Sequence, residues 1–153
     1  MEVFRLHNKK YPVQLSGEGA AKFGARWNSK GTEVIYAANS RALAMAEVVV
    51  HLSLSNLQRN FCMLTVVIPD DLEIFELNVL ELDEDWNSFP DTVATQKIGD
   101  SFIQKKQSCV LKIPSAVVKG DFNFMINPNH KDFERINIGS QEDFPIDNRL
   151  FKS

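Results

Sequence analysis

Cysteine is scarce in this chain of 153 residues: Cys62 and Cys109 are the only two. Two thiols without close spacing make neither a disulfide framework nor a zinc site. Cys62 sits inside the apolar run FCMLTVVI and reads as an inert core residue, and such usage fits a reducing compartment. Histidine is equally sparse, with three in all, and HExxH is absent. A catalytic metal is therefore not expected. Also missing are the GxSxG elbow, the GxxxxGK[ST] phosphate loop and the GxGxxG dinucleotide fingerprint. No apolar run approaches a membrane span, and the opening MEVFRLHNKK has no signal-peptide h-region, so a cytoplasmic protein with no membrane contact is expected. Neither sign of charge dominates. Seventeen basic residues against 20 acidic ones leave a net charge of −3, which lacks the electrostatic footprint of direct nucleic-acid binding.

What is present suits a single domain spanning 1–153: 44% apolar and 24% charged residues, eleven Phe and two Trp for a core, no repeats and no low-complexity linker. Residues 2–6 alternate and predict a first strand. Four of the seven glycines (17, 19, 24 and 31) then fall within one stretch, which predicts a loop with unusual backbone angles, either for tight turns or for close approach to a ligand. Residues 33–37 predict a strand. Ser40 caps a helix reaching about Leu52, and its sequence RALAMAEVVVHL is apolar on nearly every face, which predicts deep burial. Strands are expected over 61–68, 72–77, 109–113 and 133–138, with one or two within 116–126 and a last short one within 144–151. A helix is expected over 92–106 with Gly99 as its weak point, an acidic exposed loop over 78–90 around Trp86, and a turn at 127–130. With more strands than helices and no βαβ rhythm, the class is α+β with a mostly antiparallel sheet.

Glu47 is the most informative residue, because an ionised carboxylate inside an apolar helix needs partners or a use. His51, four residues on, offers a structural ion pair, and the alternative is a functional carboxylate. Arg26, in GARWN after the glycine-rich stretch, can hold a phosphate through parallel hydrogen bonds or lie at the surface stacked on Trp27. Tyr36 can stack on a flat ring or serve as core with its hydroxyl at the rim. Ser115, following Pro114, can bond a ligand or make a local turn, and His130 in NPNH reads as turn chemistry.

Taken in order, FRL at 4–6, LSGEGA at 15–20, GARWNSKG at 24–31 and VIYAANSRALAMAEVVVHL at 34–52 resemble the RES-domain family. So do TQKIGDSF at 95–102, IPSAVV at 113–118, NFMINPNH at 123–130 and FPIDNRL at 144–150. The family's members are toxins of bacterial RES–Xre toxin–antitoxin pairs. One departure lies in AAKFGARWN, where Lys22 and Ala25 stand in place of the family's usual arginine and doubled glycine.

The resemblance implies an ADP-ribosyltransferase-like fold, a compact β core with flanking helices. It implies NAD as substrate with no cofactor, and inorganic phosphate as a possible co-substrate. Its functional residues map onto Arg26, Tyr36, Glu47 and Ser115, with Asn127 a weaker candidate near the pocket. The implied partner is an Xre-type antitoxin, with oligomers possible in the toxin–antitoxin complex. On this reading Glu47 stabilises the cationic sugar formed as nicotinamide leaves, Arg26 grips the pyrophosphate, Tyr36 packs beside the nicotinamide or its ribose, and Ser115 bonds the dinucleotide. The acceptor is water or phosphate, which would deplete NAD. The alternatives are a protein side chain, giving protein ADP-ribosylation, and a non-catalytic module that binds a nucleotide or an antitoxin.

Overall fold

The structure, a computed structural model, describes residues 1–53 and 60–151. Seven strands form one sheet: β1 (Glu2–Asn8), β2 (Ile35–Ala38), β3 (Phe61–Val67), β4 (Ile74–Glu76), β5 (Val110–Pro114), β6 (Phe122–Ile126) and β7 (Asn137–Asp143). Their order across the sheet is β4-β5-β6-β2-β1-β3-β7. Every neighbouring pair is antiparallel except β4–β5, which is parallel. Among the described residues three helices accompany them: α1 (Glu18–Phe23), α2 (Arg41–Val49) and α3 (Val93–Lys105). This is the expected α+β class.

Alternation along each strand divides the apolar residues between two faces. One face carries Val3, Ile35, Ala37, Phe124 and Ile126, covered by segments that contribute Leu15, Leu72 and Ile136. The other face carries two separate cores. Leu43 and Ala44 of α2 pack there on Phe4, Leu6, Ala38 and Met63. Phe102 and Ile103 of α3 pack, with Trp27, on Leu111, Ile113 and Met125. Strand β3, flanked by β1 and β7, is buried along nearly its whole length, which explains an apolar sequence broken only by Thr65.

Ser40 caps α2 as expected, its hydroxyl accepting the Leu43 N–H at 3.1 Å. Thr92 caps α3 in the same way. Deep burial of α2 is corrected: only Leu43 and Ala44 are buried, Met45–Val49 are half-buried, and Val50 is 56% exposed. The helix covers the sheet with one stripe and leaves its apolar flank at the surface. It also stops at Val49, and the chain tightens there through His51 N–H to the Val48 carbonyl at 3.0 Å.

The glycine-rich stretch, expected as a loop, contains α1. Glu18, Ala20, Ala21 and Lys22 are good helix formers, and glycine density masked them. The expected strand at 133–138 is instead a 3-10 turn (Phe133–Arg135), and β7 begins at Asn137. A second 3-10 turn, Asn148–Phe151, replaces the last expected strand. Residues 115–121 form the turn between β5 and β6, so 116–126 holds one strand.

Gly99 is a point of contact rather than of weakness. A Cβ there would run into the Trp27 carbonyl oxygen, so α3 sits directly on the Trp27 backbone. Gly99→Ala gains about 1 kcal/mol of helix propensity but overpacks backbone against backbone, at a cost of about 3 kcal/mol. Its melting temperature is expected to fall by about 4–8 °C; an unchanged melt would show that α3 is not seated on Trp27. Burial also raises both thiols, the Cys109 group to about 11. Both should resist iodoacetamide at pH 7.5 in the folded protein and react after denaturation, as mass spectrometry would show.

Candidate active site

Glu47 follows Leu43 by one helical turn, on the stripe of α2 that faces the sheet. Opposite lies Asn123 of β6, which pairs with Ala38 of β2 and Ile113 of β5. Ala38 belongs to the α2 core and Ile113 to the α3 core, so Glu47 reaches the sheet at the seam between them. Its Oε1 accepts the Ser115 hydroxyl at 2.7 Å and the Asn123 amide at 2.6 Å. Among the described residues Oε2 has no hydrogen-bond partner, and it is not sealed from solvent. The structure therefore brings Glu47 and Ser115 together. It does not form the pair with His51, which lies beyond the end of α2 in an exposed turn.

Ser115 is 4% exposed and fully committed. Its oxygen accepts the Val117 and Val118 N–H groups at 3.1 and 3.0 Å, leaving its single proton for Glu47. The turn reading of Ser115 is thus met, and the same hydroxyl engages Glu47.

Tyr36 lies on the same sheet face as Asn123. It pairs with Met125, which makes it the diagonal neighbour of Asn123, roughly 7–8 Å away by strand geometry. Its hydroxyl donates to Asn28 Oδ1 at 2.7 Å. Burial pushes its phenol well up from the usual value, so it stays protonated and offers its ring rather than a base. Asn28, itself fully buried, donates to the Ala20 and Thr32 carbonyls at 2.9 and 3.1 Å and so fixes the loop that carries Arg26.

Arg26 is held away from solvent, with 16% of its side chain exposed. It donates to the Trp86 and Ser88 carbonyls, both at 2.9 Å, and pairs with Asp91 at 3.1 Å. Trp86 packs on Trp27 with ring centroids 5.9 Å apart. The guanidinium thus anchors the acidic loop 78–91 over the body, a role that neither sequence reading of Arg26 contained. A depression of about 260 Å³ between this loop and the start of α3 is lined by Glu81, Asp83, Trp86 and Thr95 and includes none of the candidate side chains. Asn127 is fully buried and occupied at both ends, donating to the Ile103 carbonyl and accepting the Asn129 N–H, both at 3.0 Å. His130 accepts the Asp132 N–H at 3.1 Å, which is turn chemistry as expected.

Sequence reasoning missed Asn123 and Arg5. Arg5 donates to the Tyr36 carbonyl at 2.8 Å, where β1 and β2 are otherwise joined by the single pair Phe4–Ala38. No carboxylate pairs with it among the described residues, and burial lowers its pKa. A cation inside an alternating strand was the available signal. Asn123 carried none, because its partner lies 76 residues away. Among the described residues no three His, Cys, Asp or Glu side chains gather as a metal site. No helix among them is long and apolar enough to cross a membrane.

The family model described as RES domain matches residues 2–147. "Toxin Res" of Photorhabdus laumondii subsp. laumondii is 37% identical over all of this chain and 99% of its own length. "Prs ADP-ribosylating toxin" of a Sphingobium species is 33% identical over 90% of this chain and 87% of its own. Among solved structures, the M. tuberculosis MbcT–MbcA toxin–antitoxin complex contains a chain that superposes with a TM-score of 0.72 at 20% identity, covering 94% of this chain and 83% of that one. The shared architecture is the ADP-ribosyltransferase-like fold that the resemblance implied.

Arg26→Ala should leave the Trp86 and Ser88 carbonyls without their donor and lower stability by about 1–3 kcal/mol. Limited proteolysis should then cut within 78–91. Unchanged urea unfolding together with an uncut loop would reduce Arg26 to a surface residue.

Proposed function

The chain belongs to the RES-domain family, and we propose that it is the toxin of a toxin–antitoxin pair that depletes NAD by breaking the nicotinamide–ribose bond. The observation that carries this reading is the Glu47 carboxylate, half-buried at the seam, with Oε1 held by two donors and Oε2 unengaged. Nicotinamide leaves NAD as a neutral ring, and positive charge develops on the ribose. A fixed carboxylate oxygen lowers the energy of that oxocarbenium-like state without any reorganisation at the moment of reaction. It also accepts a ribose hydroxyl and orients the incoming nucleophile.

The other candidates take supporting roles. Tyr36 keeps its hydroxyl on Asn28 and packs its ring beside the nicotinamide or ribose. Arg26 grips the pyrophosphate by exchanging Asp91 for phosphate oxygens, while its bonds to Trp86 and Ser88 keep it aimed. Ser115 acts on the dinucleotide through Glu47, since its proton is already committed there. Asn127 supports the wall formed by α3. Water or inorganic phosphate is the acceptor, and the chemistry asks for neither metal nor cofactor. The partner that restrains the toxin is an Xre-type antitoxin, and the toxin works in the cytoplasm, where NAD is found.

A second reading, transfer of ADP-ribose to a cellular protein, is favoured by the name of the Sphingobium relative. Labelled NAD added to lysate distinguishes the two: a single labelled protein band with slow loss of NAD supports transfer to protein.

Glu47→Gln keeps an oxygen for Ser115 and Asn123 but removes the charge. Nicotinamide release from NAD, measured with and without phosphate, should fall by about 10²–10³-fold, while the melting temperature stays within a few degrees. Undiminished release would end the catalytic role of Glu47.

A further inference from the structure

We propose that Asn123 is a positioning residue for Glu47: its amide and the Ser115 hydroxyl together fix Oε1, so that Oε2 alone meets the sugar. The inference rests on the NAD-cleaving reading above. The two oxygens of a free carboxylate are equivalent and exchange by rotation about the last side-chain bond. Here two donors fall on one oxygen, at 2.6 Å from Asn123 and 2.7 Å from Ser115, and that equivalence is broken.

Both donors come from one hairpin. Pro114 pairs with Phe122, and Ser115 N–H donates to the Asp121 carbonyl at 2.9 Å, which locks the end of β5 to the start of β6. The hairpin is therefore an assembled clamp that α2 brings Glu47 into, rather than two side chains that must each find it. Ser115 cannot turn away, because its lone pairs already take the Val117 and Val118 N–H groups.

Asn123 has its own sign of constraint. Its Oδ1 is sealed from solvent and has no hydrogen-bond partner. Buried amide oxygens are rarely left so, since their desolvation is then uncompensated. Rotating the amide would not relieve this, because it would set Oδ1 against the carboxylate oxygen. An apolar residue at 123 would remove the orphaned oxygen and would pack with Ala38 and Ile113, its strand neighbours. The chain carries the unfavourable oxygen in order to place an N–H on Glu47.

The experiment compares steady-state nicotinamide release by the wild type, Asn123→Ala and Asn123→Asp, with thermal melts as the check on folding. Asn123→Ala should lower kcat by about 10–100-fold with KM within about twofold, the pattern of a group that acts only in the transition state. Asn123→Asp should be weaker still at pH 8. It should recover as the pH falls and the introduced acid takes up a proton that it can donate to Glu47. A merely structural role would shift the melt without this pH signature. Retained kcat in Asn123→Ala, a raised KM with kcat unchanged, or a pH-flat Asn123→Asp would each overturn the proposal.

Should the wild type release no nicotinamide, the NAD-cleaving reading fails, and the contact is then judged by NMR on ¹⁵N-labelled protein. The Asn123 side-chain N–H should stand downfield in the wild type and return toward ordinary values in Glu47→Ala. An identical resonance in both proteins would overturn the clamp.

Discussion

A carboxylate held by one oxygen at the join between two apolar cores is the constraint on which the rest of the molecule depends. An ionised group removed from water needs compensating donors. Glu47 receives them from Ser115 and Asn123 on a single oxygen, and the other oxygen stays available. Had His51 supplied the compensation, the acid would have been a local staple within α2. Drawing it instead from the β5–β6 hairpin ties α2 to the sheet and leaves one oxygen of the acid unengaged at the edge between them.

The same face of the sheet explains why that edge persists. The α2 core and the α3 core are separate clusters, and between Ala38 of the first and Ile113 of the second the strand position is the polar Asn123. The remaining candidates are each fixed by hydrogen bonds. Tyr36 is held at its hydroxyl by Asn28 and at its carbonyl by Arg5. Arg26 is held by the 86–91 loop, and the Trp27 carbonyl rests on Gly99 of α3. Such over-determination suits the proposed chemistry, in which a fixed charge meets a developing cation and preorganisation is the contribution of the protein.

Much of this was legible in the sequence, for reasons that can be stated. Ser40 marked the start of α2 through a side-chain oxygen suited to a cap, and the helix expected from Thr92 is α3. The apolar run at 61–68, broken only by Thr65, announced β3. Glu47 stood out because its neighbours are apolar. What stayed hidden had equally physical causes. The edge strand β7 is polar and exposed along nearly its whole length, so NIGSQED lacks the alternation that marks a strand. The apolar residues just before it, Phe133 and Ile136, lie around a 3-10 turn and drew the expected strand upstream. The partner of Glu47 was sought at the helical spacing of His51, but α2 ends first. The true partners lie 68 and 76 residues away, where spacing carries no information. The contacts of Arg26 with the 86–91 loop were hidden for the same reason, since those partners are likewise remote in sequence.

The central claim concerns one oxygen and one sugar, and a crystal structure with a non-cleavable NAD analogue, in which the nicotinamide ribose is replaced by a carbocycle, addresses both. The account predicts Glu47 Oε2 within hydrogen-bond distance of a hydroxyl on that ring, with Ser115 and Asn123 still on Oε1. An analogue bound away from the seam, or a Glu47 side chain turned toward His51, would contradict it.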